Sequence, residues 1–225
     1  MLGMNCSAVI FDMDGTMLDT ERTYRMVFDR AAADCAIDFP ESLHFELLGR
    51  NSADTRAILL RRWNGDADRL ERFLDRCRHH HAICFEENPP DLKLGLIELL
   101  DFLEQRQVPK IIATSTKRSH AIPRLERAGL LERFASITTG DQVERGKPAP
   151  DLFLLAASTI DVRPDRCIVL EDSEAGVTGA HAAGMRVFMI PDLKAPCERT
   201  RSLAEEVCTS LLEVKRRLEM MLMNA

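Results

Sequence analysis

Two aspartates, Asp12 and Asp14, stand one residue apart where the apolar run Ala8-Val9-Ile10-Phe11 gives way to Asp12-Met13-Asp14-Gly15-Thr16. Such a run reads as a strand buried on both faces of a parallel sheet, and open α/β sheets place ligands beyond the carboxyl ends of such strands. Asp12 and Asp14 are therefore expected at the rim of a pocket. Two carboxylates this close repel, which drives one pKa upward unless a cation lies between them. Magnesium suits that place, because it binds through one or two carboxylates together with phosphate oxygens. The pair also allows a division of labour, with one carboxylate as nucleophile and the other as proton donor and acceptor. An ordinary turn after a strand would use Asp14-Gly15 equally well.

Three more segments carry groups of matching chemistry. Thr114-Ser115-Thr116 closes the strand-like run that begins at Lys110, and offers a hydroxyl and turn N–H groups to a phosphate oxygen, although hydroxyls also close turns and cap helices. Lys147 lies in Gly146-Lys147-Pro148-Ala149-Pro150-Asp151, where two prolines stiffen the chain just ahead of a helix. Its ammonium could hold a phosphate and offset crowded carboxylates, or simply be solvated, as most lysines are. Glu171-Asp172-Ser173 follows Cys167-Ile168-Val169-Leu170, so one of its carboxylates could complete a magnesium shell while Asp172 or Ser173 caps the next helix. In Leu48-Gly49-Arg50-Asn51-Ser52, Arg50 follows a glycine and could meet a second anionic group of a substrate or lie free on the surface. His79-His80-His81 has no partner at helical ligand spacing and reads as a solvated helix face.

The elements needed to bring these groups together alternate along most of the chain. After the first strand, a helix is predicted over Glu21 to Cys35, followed by charge-rich amphipathic stretches at Asp54 to Trp63 and Asp68 to Phe85. Asn88-Pro89-Pro90-Asp91 breaks that run. Helix and strand then alternate: Leu96 to Glu104, Lys110 to Thr114, Ser119 to Ala128, Ser136 to Thr139, Asp151 to Thr159, Cys167 to Glu171, Glu174 to Ala183 and Arg186 to Ile190. A last helix is predicted from about 202 to 222, ending in the methionine-rich Met220-Met221-Leu222-Met223. This rhythm specifies an α/β protein with a Rossmann-like parallel sheet and helices on both faces. The helical block does not share the rhythm and reads as an inserted small all-α domain. The expected organisation is core 1–19, helical domain 20–90 and core 91–225.

Composition narrows the classes. With 225 residues the chain can bury a sizeable core, and 45% hydrophobic with 29% charged residues is ordinary for a globular protein. A formal charge of −6 argues against a nucleic-acid binder that works through a basic field. No apolar stretch is long enough to cross a bilayer, so no membrane partner is expected. Seven scattered cysteines without a Cys-x-x-Cys spacing read as reduced thiols, and the expected location is cytoplasmic.

Asp12-Met13-Asp14-Gly15-Thr16, Thr114, Lys147 in its Gly-Lys-Pro-Ala-Pro-Asp setting, and Glu171-Asp172-Ser173 followed by Gly176 stand in the order of four motifs. In that order and context the chain resembles the haloacid dehalogenase superfamily over essentially its whole length. The second aspartate of Asp-x-Asp-Gly-Thr resembles the phosphotransferase branch, and the helical insertion resembles the small cap of the β-phosphoglucomutase and phosphoglycolate phosphatase group. The resemblance implies that Asp12 attacks phosphorus to form an aspartyl-phosphate, while Asp14 protonates the leaving oxygen and then deprotonates water. It implies magnesium held by Asp12, the Asp14 carbonyl and Asp172, with Glu171 in or beside that set. Thr114, Ser115 and Lys147 would hold the phosphoryl group, and Gly49 and Arg50 in the cap would contact the rest of the substrate.

Sugar-phosphate mutases of that group carry a histidine early in the first cap helix, at the place of Tyr24 here, and members commonly have Pro-Gly where this chain has Leu94-Gly95. Simple hydrolysis is therefore expected. The activity that follows is a magnesium-dependent phosphatase of a small phosphorylated metabolite, a sugar or polyol phosphate or phosphoglycolate, acting as a monomer. A hexose-phosphate mutase is the enzymatic alternative, and a non-catalytic binding protein on the same fold is the other.

Overall fold

The computed structural model describes residues 6–47, 50, 52–192 and 195–223. The chain divides into two compact units, one formed by Met1–Asp19 with Leu92–Ala225 and the other by Thr20–Asp91. Strand β1 (Ala8–Phe11) opens the first unit and is fully buried.

The second unit follows β1 and is all helical. It comprises α1 (Glu21–Asp34), α2 (Glu41–Leu47), α3 (Ser52–Arg62) and α4 (Ala67–Glu87). Its core is aromatic. Phe73 has no solvent exposure and meets Phe39 at 5.3 Å, Trp63 at 5.3 Å and Phe28 at 6.2 Å between ring centroids. A single ring serving three others cannot be removed without a cavity, so Phe73→Ala is expected to cost about 3–5 kcal/mol. Urea unfolding followed by Trp63 fluorescence measures it, and a loss of under about 1 kcal/mol would show that the cluster repacks. The histidine run is less solvated than its sequence suggested. His80 Nε2 lies 2.8 Å from Asp34 with the side chain largely covered, and the His81 ring packs on Phe85.

The first unit resumes with α5 (Leu96–Gln105), β2 (Lys110–Thr114), α6 (Arg118–Arg127), β3 (Ser136–Thr139), α7 (Asp151–Thr159), β4 (Cys167–Glu171), α8 (Glu174–Ala182) and β5 (Arg186–Met189). The expected single last helix is instead α9 (Glu198–Leu203), a short strand β6 (Glu206–Val207) and α10 (Leu211–Met223). The edge of β5 wins this segment: Glu205 N–H bonds the Val187 carbonyl at 2.9 Å and Cys208 N–H the Met189 carbonyl at 2.8 Å. A new helix start then forms where Glu213 accepts from the Thr209 N–H at 2.8 Å and Ser210 Oγ accepts from the Glu213 N–H at 3.3 Å.

The six strands run parallel in the order β3-β2-β1-β4-β5-β6. Period-two alternation buries both faces. Val9, Phe11, Ile112, Ile168 and Leu170 join α5, α6 and α10 on one side. Ala8, Ile10, Ile111, Ala113 and Val169 join α7 and α8 on the other. The chain proceeds from β1 through β2 to β3 on one flank and returns to β4 on the other. The carboxyl ends of β1 and β4 thus flank a topological switch point, where a crevice for ligand opens in such sheets. Among the described residues no helix is long and apolar enough to cross a membrane.

Candidate active site

Asp12 is the first residue beyond β1, and its N–H is still tied to the Leu170 carbonyl of β4 at 3.0 Å. That bond fixes the side chain at the switch point, where it is only 6% exposed. Lys147, just before α7, brings its Nζ to 2.5 Å from Asp12 Oδ1 and 2.5 Å from Glu171 Oε1. The Phe153 ring closes the lysine from another side, with its centroid 5.0 Å from the ammonium. The proline-bounded loop thus delivers a buried cation between the ends of β1 and β4.

Glu171 is fully buried and has both oxygens engaged. Lys147 takes Oε1, while the Ser173 N–H and hydroxyl donate to Oε2 at 2.8 and 2.9 Å. Ser173 Oγ in turn accepts from Gly176 N–H at 3.0 Å and caps α8. A Cβ at Gly176 would lie 1.9 Å from the Glu171 carboxyl carbon, so only glycine admits the carboxylate there. This arrangement sets Glu171 against Lys147 on one oxygen and the Ser173 cap on the other.

Asp172 differs. Its Oδ1 accepts from Thr16 Oγ1 at 3.0 Å, and no lysine or arginine among the described residues forms an ion pair with it. Gly15, at φ 88°, passes so close that a Cβ would meet Asp172 Oδ2 at 2.4 Å. Burial, with Glu171 and Asp12 adding repulsion, holds the Asp172 carboxyl well above the usual range. Asp12 is likewise raised by burial, with Lys147 opposing and Glu171 adding to the rise. Burial alone would lower Lys147, but Asp12 and Glu171 reverse that, so the ammonium stays charged.

Asp14 stands apart from Lys147. Its Oδ2 accepts from the Thr116 hydroxyl and its Oδ1 from Arg124 of α6, both at 2.6 Å. Thr114 is buried at the end of β2 and its Oγ1 accepts from Thr116 N–H at 3.1 Å, while Ser115 is exposed. Arg50 lies in the helical unit, exposed, with its N–H on the Leu47 carbonyl at 3.1 Å, and Gly49 lies outside the described residues. The sequence did not single out Arg124 or Phe153 and gave Thr16 and Thr116 no role of the kind they have here, whereas Ser173 takes the helix cap expected of it or Asp172. Arg124 did leave a signal: it lies on the buried stripe of α6 with Ala121 and Leu125, where a charge demands a partner.

Four carboxylates, Asp12, Asp14, Glu171 and Asp172, therefore face two cations, Lys147 and Arg124. Among the described residues no three His, Cys, Asp or Glu side chains form a ready ion cage. Of the residues expected around the ion, the Glu171 carboxylate meets Lys147 and Ser173 and the Asp14 carboxylate meets Arg124 and Thr116, while the Asp14 group expected there is its backbone carbonyl. The donors left are the Asp12 and Asp172 carboxylates. Two carboxylates with water, carbonyl and phosphate oxygens filling the shell is the chemistry a hard dication takes, and Asp172 lacks a positive partner. The residues fit such an ion.

The sequence model of haloacid dehalogenase-like hydrolases matches residues 6–184. The chain is 35% identical over 182 residues to a phosphorylated carbohydrates phosphatase of Thermotoga maritima, covering 79% of this chain and 82% of that protein. It is 34% identical over 218 residues to the mitochondrial (DL)-glycerol-3-phosphatase 1 of Arabidopsis thaliana, covering 92% and 71%. The crystal structure of CbbY from Rhodobacter sphaeroides in complex with xylulose-1,5-bisphosphate is similar, with a TM-score of 0.78, 28% identity and coverage of 92% and 96%.

Proposed function

The chain belongs to the haloacid dehalogenase-like hydrolases and is a phosphoric monoester hydrolase, and on that premise we propose that it removes phosphate from a small sugar or polyol phosphate with magnesium as cofactor. The observation that carries the proposal is the buried Lys147 held between Asp12 and Glu171, with Asp172 beside them lacking a cation. Asp12 is the nucleophile: its carboxylate attacks phosphorus, the ester P–O bond breaks, and the leaving oxygen takes a proton from Asp14. Water, giving its proton back to Asp14, then attacks the aspartyl-phosphate and restores the Asp12 carboxylate. Lys147 and Thr114 hold the transferring oxygens, which are the groups on which charge accumulates. Asp12, Asp172 and the Asp14 carbonyl would hold magnesium, which would supply charge neutralisation at phosphate when bound. Glu171 and Phe153 keep Lys147 in place.

The helical unit Thr20–Asp91 takes the role of the cap and supplies selectivity, with Gly49 and Arg50 as its candidate contacts. Water is the acceptor we assign. Tyr24 stands where a mutase would carry histidine, and its ring packs edge-on against Phe85 at 5.3 Å. The seven free thiols suit a cytoplasmic enzyme, and a monomer is its expected state.

Phosphate release from a panel of sugar, polyol and two-carbon acid phosphates tests the proposal, run with magnesium and with chelator. Turnover of a sugar or polyol phosphate that disappears with chelator is expected. Release from none of them by folded, magnesium-supplied protein would refute hydrolysis. Interconversion of hexose-phosphate isomers with a bisphosphate activator would establish the mutase instead.

A further inference from the structure

We propose that Arg124, which lies outside every motif, is a positioning residue for Asp14 that sets the carboxyl group's aim at the leaving oxygen. The inference rests on the phosphatase reading above. The Arg124 side chain is 5% exposed, so its charge is sunk into the apolar stripe of α6 and has been taken out of water at a cost that only a specific partner offsets. Its NH1 donates to Asp14 Oδ1 at 2.6 Å, and Thr116 Oγ1 donates to Oδ2 at 2.6 Å. Both contacts come from the segment that follows β2, so one rigid stretch grips both oxygens of Asp14.

The neighbours of Asp14 explain why such a grip is needed. Asp12, Glu171 and Asp172 are all acidic, and Lys147 is already shared by two of them. A fourth carboxylate in that field would turn outward unless a cation held it. A group that transfers a proton must be within hydrogen-bond reach of the reacting oxygen, and small misplacement is costly. Arg124 acts through the orientation of Asp14.

A leaving-group comparison tests this, because an alkoxide must be protonated as it departs whereas a p-nitrophenolate needs little help. Rapid-quench single turnovers of the full-length enzyme with magnesium measure aspartyl-phosphate formation from glycerol 3-phosphate and from p-nitrophenyl phosphate. In Arg124→Met the rate with the alkyl ester is expected to fall about 10²-fold, and that with the aryl ester no more than about threefold. Arg124→Lys should recover most of the alkyl rate. Thr116→Val, which leaves the buried ion pair intact, should show the same asymmetry to a smaller degree and decides the matter if Arg124→Met does not fold. Equal losses with both esters, or no loss with the alkyl ester, would overturn the proposal. If wild type forms phosphoenzyme from neither ester, the phosphatase reading fails and this inference falls with it. If wild type reacts with both and the variants lose both equally, only the role of Arg124 is refuted.

Discussion

Asp12→Asn is expected to lower phosphate release by at least about 10⁴-fold while the chain stays folded. An amide nitrogen and a neutral carbonyl oxygen cannot form the acyl-phosphate that the two-step route requires. The fold should survive because the substitution is nearly isosteric and removes an anion whose charge burial disfavours. Lys147 would lose one partner but keep Glu171 Oε1 at 2.5 Å, so its ammonium would not be left unpaired. The main-chain tie between the residue 12 N–H and the Leu170 carbonyl does not depend on the side chain. The readouts are steady-state phosphate release and intact-protein mass after brief exposure to substrate with magnesium. Wild type should show a fraction of molecules heavier by one phosphoryl group, and the variant none. Turnover within about tenfold of wild type, or a phosphoryl adduct on the variant, would remove Asp12 from the role of nucleophile.

The strands that carry this chemistry were legible because each is a short apolar run ending in polar residues. β2, β3 and β4 occupy the residues expected, and β1 ends one position before Asp12. A parallel sheet forces such ends onto one edge, so residues as distant as Asp12 and Asp172 can be placed together from the sequence alone. The carboxyl-terminal segment was not legible, since two residues of strand, Glu206 and Val207, are decided by the open edge of β5 and leave no periodic signature of their own. The grip on Asp14 was hidden for a related reason. Thr116 and Arg124 meet it from more than a hundred positions away, and only the charge on the apolar stripe of α6 hinted that something awaited it. The allotment of acids was also a three-dimensional fact. Adjacent residues of one motif, Glu171 and Asp172, have different partners, the first turning toward Lys147 and the Ser173 cap and the second toward Thr16 and Gly15.

Asp172→Asn is expected to raise the stability of the metal-free protein and to remove its activity. In wild type, the Asp172 carboxyl is pushed above its usual range first by burial and then by Glu171 and Asp12, with the Thr16 hydroxyl and Lys147 opposing. A carboxyl whose folded pKa is raised binds its proton more tightly in the folded than in the unfolded chain. Its contribution to stability is therefore full below the unfolded value of about 4 and is lost as pH rises through the folded value. Wild type in chelator should accordingly lose melting temperature as pH climbs above the ordinary carboxylate range. Asp172→Asn, lacking that charge, should lose less, with the remainder carried by Asp12, which is raised in the same direction. At neutral pH in chelator the variant should melt about 3 °C above wild type. Magnesium is expected to reverse the order. At about a hundred times its dissociation constant it should stabilise wild type by roughly 2.7 kcal/mol and leave the variant almost unmoved. Phosphate release by the variant should fall about 10³-fold, the equivalent of roughly 4 kcal/mol of charge stabilisation at the transferring phosphate. Melting curves across pH, with magnesium and with chelator, resolve all of these outcomes in one series. A variant less stable than wild type in chelator at neutral pH would mean that Asp172 is already satisfied by the protein, and that its charge is not what makes room for the cation.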